Sequence, residues 1–296
     1  MIVPDGAIAL RVLLYWLLFP AVALPAHVIA RAKGRQGFLG HILVWFVIIP
    51  VFLASSYLGT ATLIALLAAS CAVACWEIVR LNGLASTTAP RFALAAALSL
   101  PWLLLPQPAL ASPLGVARLI VMVPAIAYPV LPARARSRWG VPALALGLGA
   151  SLSFWVLLQR MPGGVRFVWF AFSVVAVSDM MSFLGGRMLG GSRPFPLLSP
   201  QKTIAGYGVG AAAAVLISYV LSFAVPELDS VQVGLGALVL VTFGFLGDLF
   251  ASAIKRRHSA KDFGACLGPM GGMLDRLDSL AGAGWAFYAF LHFVLH

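Results

Sequence analysis

Two aspartates near the carboxyl end of the chain have the type and spacing of a cation-binding pair. The stretch GGMLDRLDS contains Asp275 and Asp278, which are three residues apart and are therefore neighbours on the surface of a helix. Carboxylates suit Mg²⁺, which usually takes one or two of them together with substrate phosphates. The alternative is simple capping of a helix start, where acids complement the helix dipole. Capping needs only one acid, whereas here two acids flank Arg276.

A second polar group precedes this pair on an earlier predicted helix. Asp248, Ser252 and Lys255 follow the spacing i, i+4, i+7, so they share one helix face. A lysine beside carboxylates can hold phosphate while the carboxylates hold a cation. The combination indicates phosphoryl or nucleotidyl transfer, in which a protein mainly positions its substrates and neutralises charge.

A third polar segment covers residues 178–206 and combines glycine pairs with basic side chains. It begins near Asp179, contains the pairs 185–186 and 190–191, and ends near Lys202. Glycine lets a backbone approach a ligand closely, and glycine-rich backbone beside Lys and Arg often holds phosphates. We therefore expect a phosphate-binding loop, although many loops without a function are also glycine-rich and basic.

The composition predicts the elements that must position these side chains. The chain has 296 residues, of which 61% are hydrophobic and only 10% charged, and its mean hydropathy is +0.99. Soluble domains are closer to about 25% charged. A soluble protein could not bury this much apolar surface, so the chain is expected to be an all-α polytopic integral membrane protein.

Ten apolar stretches approach the length of about 20 residues that a membrane-spanning helix needs. The fourth is short and contains Pro101 and Pro106, so nine or ten transmembrane helices are expected. The first is longer than the apolar part of a signal peptide and lacks a basic segment before it, so it is expected to be retained. The stretches are 7–30, 38–56, 59–79, 92–106, 113–131, 141–159, 166–187, 206–225, 232–254 and 279–295.

The basic residues lie mostly in alternate loops. Of the 20 Lys and Arg residues, 16 follow odd-numbered stretches. The positive-inside rule then places these loops in the cytoplasm and both termini outside. All three polar groups consequently fall on the cytoplasmic face. The formal net charge of +11 indicates attraction to anionic membrane lipids, and no nucleic-acid partner is expected.

Three acidic residues inside or near predicted spans have competing interpretations. Asp179 and Asp248 fall within spans, where an ionisable side chain is costly and is by default a functional-site hypothesis. The alternative is an Asp paired with an Arg that only holds the helices together. Glu77 lies three residues before Arg80 and is expected to form a structural ion pair with it.

Taken together, the motifs resemble the signature of the phosphatidate cytidylyltransferase family. The run SAIKR from Ser252, the run KDFG from Lys261 and the stretch GGMLDRLDS match the family's S-x-x-K-R, K-D-x-G and G-G-x-x-D-R-x-D-S elements. The GDL around Asp248 and the SPQKT from Ser199 match two upstream elements, and SD at 178–179 matches a third. The convincing part of the resemblance covers about residues 175–280, whereas residues 1–165 match only as a run of spans.

The resemblance implies a membrane enzyme that transfers the cytidylyl group of CTP to phosphatidate or a related lipid phosphate, giving a CDP-diacylglycerol-type lipid and pyrophosphate. It also implies Mg²⁺, with a second cation as an option, and a homodimer in the inner membrane with its active face in the cytoplasm. Residues 1–165 would then form a lipid-side scaffold, and residues 166–296 would carry the motifs.

The resemblance also assigns roles to individual residues. It implies that Asp248, Asp275 and Asp179 bind metal. Catalysis is assigned to Asp248, Asp275, Asp278, Lys255 and Lys261. Substrate binding is assigned to Ser199, Lys202, Thr203, Ser252, Arg256, Gly271, Gly272 and Arg276.

Three departures from the family pattern keep other hypotheses open. Met270 replaces a histidine, Ala205 replaces an acid, and Phe250 stands where the family carries an acid nearby. A catalytically inactive paralogue is one alternative to a divergent enzyme. A transporter or flippase using Asp179 and Asp248 is another, but transporters often contain internal repeats, and none is visible here.

Overall fold

The computed structural model describes residues 39–81, 88–105, 112–130, 133–268 and 271–295, together with isolated positions before residue 39. These residues form helices and no strand, which confirms the all-α prediction. Most of the first predicted span, 7–30, lies outside the described residues, and so does Met270. The helices are α1 Leu39–Leu58, α2 Thr60–Leu81, α3 Thr88–Ser99, α4 Pro101–Leu104, α5 Pro113–Ala127, α6 Ala133–Arg160, α7 Gly164–Leu189, α8 Ile204–Val220, α9 Ser230–Arg257 and α10 Leu274–Leu295.

Five helical segments are long and apolar enough to cross a membrane, as expected of an integral membrane protein. Three further apolar helices are shorter, and a total of nine or ten spans stays a prediction. One of the shorter segments is broken because α3 ends at Ser99 and α4 begins at Pro101, whose missing N–H cannot continue the helical ladder. The five long segments are Thr60–Leu81, Pro113–Val130, Trp139–Arg160, Gly164–Leu189 and Ser230–Arg257.

Helix α6 is the central element of the bundle. Of its apolar window, 89% is buried inside the protein, and it packs against α2, α3, α5, α7 and α10. A helix that is hydrophobic on every side suits such a position. On the side facing α10, the Trp155 indole donates to the Leu280 carbonyl at 2.9 Å, and Phe154 lies 5.5 Å from Tyr288 between ring centroids. These contacts set the position of α10, which carries the GGMLDRLDS aspartates.

Glycines allow α9 and α10 to approach each other closely. A Cβ atom at Gly247 would lie 2.3 Å from the Asp278 carbonyl oxygen, and one at Gly282 would lie 2.1 Å from the Phe243 carbonyl oxygen. Small residues are the usual means of close helix contact in membranes, because burial of apolar surface does not drive association there. This contact brings Asp278 next to the helix that carries Asp248.

The glycine pair 185–186 does not form the expected phosphate-binding loop. Both residues lie inside α7, which continues to Leu189 and packs along α8. A Cβ at Gly185 would lie 2.7 Å from Cβ of Val209, so this glycine serves helix packing. The helix ends only at Gly190 and Gly191, whose φ angles are +67° and +100°. For the pair 185–186 the prediction was wrong, because glycine spacing alone does not distinguish close helix packing from a ligand loop. Phosphate binding by the loop from Gly190 to Lys202 stays a prediction.

Replacing Gly282 by Ala is expected to destabilise the α9–α10 contact by about 1–3 kcal/mol, as overpacking usually does. The new methyl group would meet backbone rather than a flexible side chain, so the helices must separate. Thermal unfolding of the detergent-solubilised protein would measure the effect. Gly208→Ala on α8 is the matched control, because a Cβ there meets nothing within 4 Å. Equal melting temperatures for the two variants would contradict the prediction.

Candidate active site

Three carboxylates from three helices converge at one end of the bundle. Asp179 of α7, Asp248 of α9 and Asp278 of α10 interact electrostatically with one another. Lys202 and Arg276 contribute opposing positive charge to this group. The structure therefore joins residues from all three polar segments of the sequence, and we call Asp179, Asp248 and Asp278 the aspartate cluster.

Asp248 is paired with Lys202, which lies just before α8. The Lys202 Nζ atom is 2.6 Å from Asp248 Oδ2 and 4.5 Å from the centre of the Phe245 ring. Among the described residues, the other oxygen of Asp248 has only a long contact of 3.4 Å from the Ser252 hydroxyl. The Asp248 side chain is 32% exposed, so it can be reached from outside the bundle. Asp248 is thus a carboxylate with one weakly engaged oxygen and an adjacent cation.

Asp275 has a different environment, because both of its oxygens are fully engaged. Lys255 Nζ lies 2.6 Å from Oδ1, while the backbone N–H groups of Phe263 and Gly272 donate to Oδ2 at 2.9 and 2.8 Å. The side chain is only 3% exposed. Asp275 therefore ties the end of α9, the following loop and the start of α10 together.

Glu77 of α2 caps the start of α10, which corrects the expected ion pair with Arg80. Its Oε1 accepts from the Met273 N–H and its Oε2 from the Leu274 N–H, both at 2.9 Å. Within the described ranges Glu77 forms no ion pair, and Arg80 is exposed. A buried carboxylate at a helix start satisfies free N–H groups and complements the helix dipole. Sequence reasoning missed this contact because the partners lie 196 and 197 residues apart.

Two glycines of the signature leave room for Glu77. A Cβ at either Gly264 or Gly272 would lie 2.4 Å from Glu77 Oε1. The Cys266 thiol donates to the same oxygen at 3.3 Å. Partial burial and this hydrogen bond raise the pKa of the Cys266 thiol, so it stays protonated at neutral pH and remains a donor. Gly264 and Gly272 thus leave space for the Glu77 carboxylate, which comes from the other half of the chain.

Several residues assigned to substrate binding already have structural contacts. Thr203 is the N-cap of α8, and its hydroxyl accepts from the Gly206 N–H at 3.0 Å. Arg256 donates from Nε to the Leu198 carbonyl at 3.1 Å and from Nη1 to the Ala260 carbonyl at 2.9 Å. Thr203 and Arg256 thus make contacts that hold the loops around the aspartate cluster in place.

The remaining assigned residues surround the same end of the bundle. The Ser199 carbonyl accepts from the Lys202 N–H at 3.2 Å, which holds Lys202 in a turn. Gly271 has a φ of +82°, and a Cβ there would lie 2.8 Å from Asp275 Oδ2. Lys261 is exposed. Arg276 has a buried Nε without a hydrogen-bond partner in the described parts of the chain, so this N–H is available to an acceptor.

Asp248 in the aspartate cluster has more carboxylate oxygen open to a cation than Asp275 has. Magnesium binds through one or two carboxylates and leaves other positions to phosphate and water. Asp248 with Asp179 or Asp278 offers such oxygens, whereas both oxygens of Asp275 accept from N–H and ammonium groups. In the described residues no group of three or more His, Cys, Asp or Glu side chains is placed to hold a metal ion. A cation bound by one or two of these carboxylates would need further ligands from a substrate or water.

Comparison with known proteins agrees with the motifs. The model of the cytidylyltransferase family matches residues 40–294. This chain belongs to the cytidylyltransferase family. Phosphatidate cytidylyltransferases of Staphylococcus epidermidis and Staphylococcus aureus are 35% and 34% identical to it over 129 residues, or 43% of this chain and 50% of theirs. The phosphatidate cytidylyltransferase of Brucella abortus is 36% identical over 163 residues, or 54% of this chain and 60% of its own.

The family match extends further than the motifs indicated. The cytidylyltransferase region begins at residue 40, whereas the convincing resemblance in the sequence covered only about 175–280. Helix α2 and Glu77 therefore lie inside the family region. The relatives align over about half to three fifths of their own length, so similarity to them is strongest in one part of the chain.

Replacing Glu77 by Gln is expected to destabilise the protein by about 1–3 kcal/mol, because the new NH₂ group would face a backbone N–H donor. The start of α10 would loosen, and any turnover at the aspartate cluster should fall with it. Thermal unfolding and turnover of the solubilised protein would be measured together. The matched control is Glu227→Gln, whose partly exposed ion pair with Arg166 should contribute less than about 1 kcal/mol. An unchanged melting temperature for Glu77→Gln would contradict the capping role.

Proposed function

We propose that this protein transfers the cytidylyl group of CTP to a lipid phosphate, either phosphatidate or a close relative. The observation that carries the proposal is the convergence of the aspartate cluster with Lys202 and Arg276 in a member of the cytidylyltransferase family. The names of the aligned relatives, which are phosphatidate cytidylyltransferases, support the choice of substrates.

In the proposed reaction an oxygen of the lipid phosphate attacks the α-phosphorus of CTP. A new P–O bond forms, the bond between the α-phosphorus and the oxygen bridging to the β-phosphate breaks, and pyrophosphate leaves with that electron pair. No covalent enzyme intermediate is needed. The products are a CDP-diacylglycerol-type lipid and pyrophosphate.

The residues of the site would act by positioning and by neutralising charge, as is usual for transfer between phosphates. Lys202 and the free Nε–H of Arg276 would bind phosphate oxygens next to the aspartate cluster. Asp248, together with Asp179 or Asp278, would hold Mg²⁺, which when bound would neutralise charge on the triphosphate. Lys255 would act through Asp275, to which it is bound, by keeping α10 in place.

The lipid substrate cannot leave the bilayer, so the site is expected to open sideways to the membrane. The charge distribution of the loops supports placing this end of the bundle in the cytoplasm, at the inner membrane, where CTP is available. By analogy with the family, we also propose that the protein is a homodimer and that a second cation binds at the site.

The test uses the purified full-length chain with dioleoyl phosphatidate, CTP labelled at the α-phosphate, and Mg²⁺. Labelled lipid formed by the unmodified protein would support the proposal. Binding of CTP without labelled lipid would overturn phosphatidate as the acceptor, and other lipid phosphates would be tried next. If CTP does not bind at all, the inactive-paralogue hypothesis replaces the enzyme. Solute movement without nucleotide would instead identify a carrier.

Removing divalent cations with EDTA is expected to stop transfer, and adding Mg²⁺ should restore it. The reason is that the described site offers carboxylates but too few ligands to retain a cation without substrate phosphate. The measurement is labelled lipid as a function of free Mg²⁺ concentration. Full activity in excess EDTA would show that Lys202 and Arg276 alone suffice.

A further inference from the structure

A cavity of about 380 Å³ lies where residues 159–165 connect α6 to α7. Its wall includes Gln159, Arg160 and the backbone at the start of α7. Between Gly164 and Asp179, α7 advances about 22 Å at 1.5 Å per residue. This space, the 159–165 cavity, is therefore at the opposite end of the bundle from the aspartate cluster.

Gln159 has an unsatisfied acceptor in this region. Its side chain is buried, with 2% of the residue exposed, and its Nε2 donates to the Ser56 carbonyl at 2.8 Å. That bond sets the orientation of the amide, because only the NH₂ group can donate. Its Oε1 has no hydrogen-bond partner within the described residues. A buried acceptor left unsatisfied costs about 1–3 kcal/mol, so a donor beside Gln159 is expected.

The same cavity is electropositive. Arg160 donates to the Leu105 carbonyl at 2.9 Å and forms no ion pair with a described residue. The N-cap of α7 is Gly163, with φ +72° and no side-chain cap. The N–H groups of Gly164 and Arg166 donate to the Met161 and Gly163 carbonyls, so among the first three of α7 only the Val165 N–H has no partner in the described residues. The start of a helix with a nearby arginine attracts anions. Glu227 also reaches Gly163 but is already paired with Arg166.

Apolar side chains flank the cavity on the outside of the bundle. Leu58, two residues before Thr60 in the cavity wall, is 71% exposed. Leu104, next to the carbonyl that holds Arg160, is 68% exposed. Large apolar side chains exposed at the edge of a polar pocket suit contact with acyl chains. An anion bound here would therefore have an apolar part.

We propose that the 159–165 cavity binds the head group of an anionic phospholipid. The phosphate would bind Arg160 and the Val165 N–H, and a head-group hydroxyl would donate to Gln159 Oε1. This site lies at the opposite membrane face from the candidate active site. It goes beyond the proposed transfer reaction and does not depend on it.

Native mass spectrometry of the full-length detergent-solubilised protein tests the proposal with phosphatidylglycerol as the probe. This lipid is a phosphodiester and so cannot act as the proposed acceptor. Arg160→Gln is expected to weaken phosphatidylglycerol binding about tenfold or more, as loss of a charged hydrogen bond predicts. Thr60→Phe fills the cavity without changing charge and should have the same effect. Arg257→Gln is the control, because Arg257 is exposed at the far end of α9 and does not line the cavity.

If Arg160→Gln still binds phosphatidylglycerol as the unmodified protein does, the proposal is overturned. If Arg160→Gln does not fold, retained binding in Thr60→Phe would overturn it instead. Equal occupancy by phosphatidylcholine, which has no head-group hydroxyl and no net charge, would also overturn it. Inorganic phosphate is tested separately by thermal shift. Stabilisation by phosphate equal to that by phosphatidylglycerol would show a site for free phosphate and overturn the assignment to a lipid.

Discussion

Asp275→Asn should lower the proposed cytidylyl transfer by on the order of a hundred- to a thousandfold and should destabilise the protein at the same time. The carboxylate accepts from the Lys255 ammonium and from two backbone N–H groups. An Asn side chain would present an NH₂ group to one of these donors and leave Lys255 without a counter-ion. Breaking a buried ion pair costs about 3–5 kcal/mol. Misplacing groups that stabilise transition-state charge accounts for the loss of rate.

Turnover with phosphatidate and thermal unfolding would be measured on the same preparation. Asp229→Asn is the matched control, since Asp229 is the N-cap of α9 and Asn is an equally good cap. The variant should therefore melt like the unmodified protein. Asp275→Asn with normal stability but no activity would indicate instead that Asp275 contacts the substrate or the metal directly.

Asp248→Asn should lower transfer by a similar factor, about a hundred- to a thousandfold, with little effect on stability. The pair of Lys202 with Asp248 is partly exposed, with side-chain exposures of 21% and 32%, and such pairs contribute at most about 1 kcal/mol. The contribution of Asp248 to activity is larger than its contribution to stability. The reason is that Asp248 is proposed to hold Mg²⁺ whether its partner ligand is Asp179 or Asp278. The Mg²⁺ concentration needed for half-maximal activity should rise in any residual turnover.

Asp248→Asn and Asp275→Asn together separate two roles of the same side-chain type. If only Asp275→Asn lowers the melting temperature, the result would support a positioning role for Asp275. It would also support a direct role in the reaction for Asp248. Lys202→Met serves as a further comparison, since it removes the partner of Asp248 but leaves the oxygen ligands. Unchanged magnesium dependence in Asp248→Asn would contradict its assignment as a ligand.

Two of the departures from the family pattern lie in the described structure. Ala205 is in the first turn of α8, and its Cβ would lie 3.6 Å from a Cβ at Gly191. Phe250 packs against the apolar core of the bundle. Phe250 is partly buried there, where a charged side chain would need a partner. The two departures alter the surroundings of the aspartate cluster without removing its carboxylates or cations.

The sequence by itself determined the helical class and the motifs. Continuous apolar stretches of about 20 residues indicate helices, because a helix satisfies its backbone hydrogen bonds within one segment in a membrane. The spacing of Asp248, Ser252 and Lys255 on one helix follows from 3.6 residues per turn, and the structure keeps these residues at one end of α9. Local patterns of this kind need no knowledge of the rest of the fold.

Only the tertiary structure decided what each charged side chain contacts. Glu77 caps a helix nearly 200 residues away, and Asp275 binds Lys255 and two backbone groups, whereas Asp248 keeps an oxygen nearly free. Gly185 packs between helices where a ligand loop was expected. Sequence spacing places side chains on the face of one helix, but the partner on another helix depends on how the helices pack. That packing is set by small residues and backbone contacts such as those at Gly247 and Gly282.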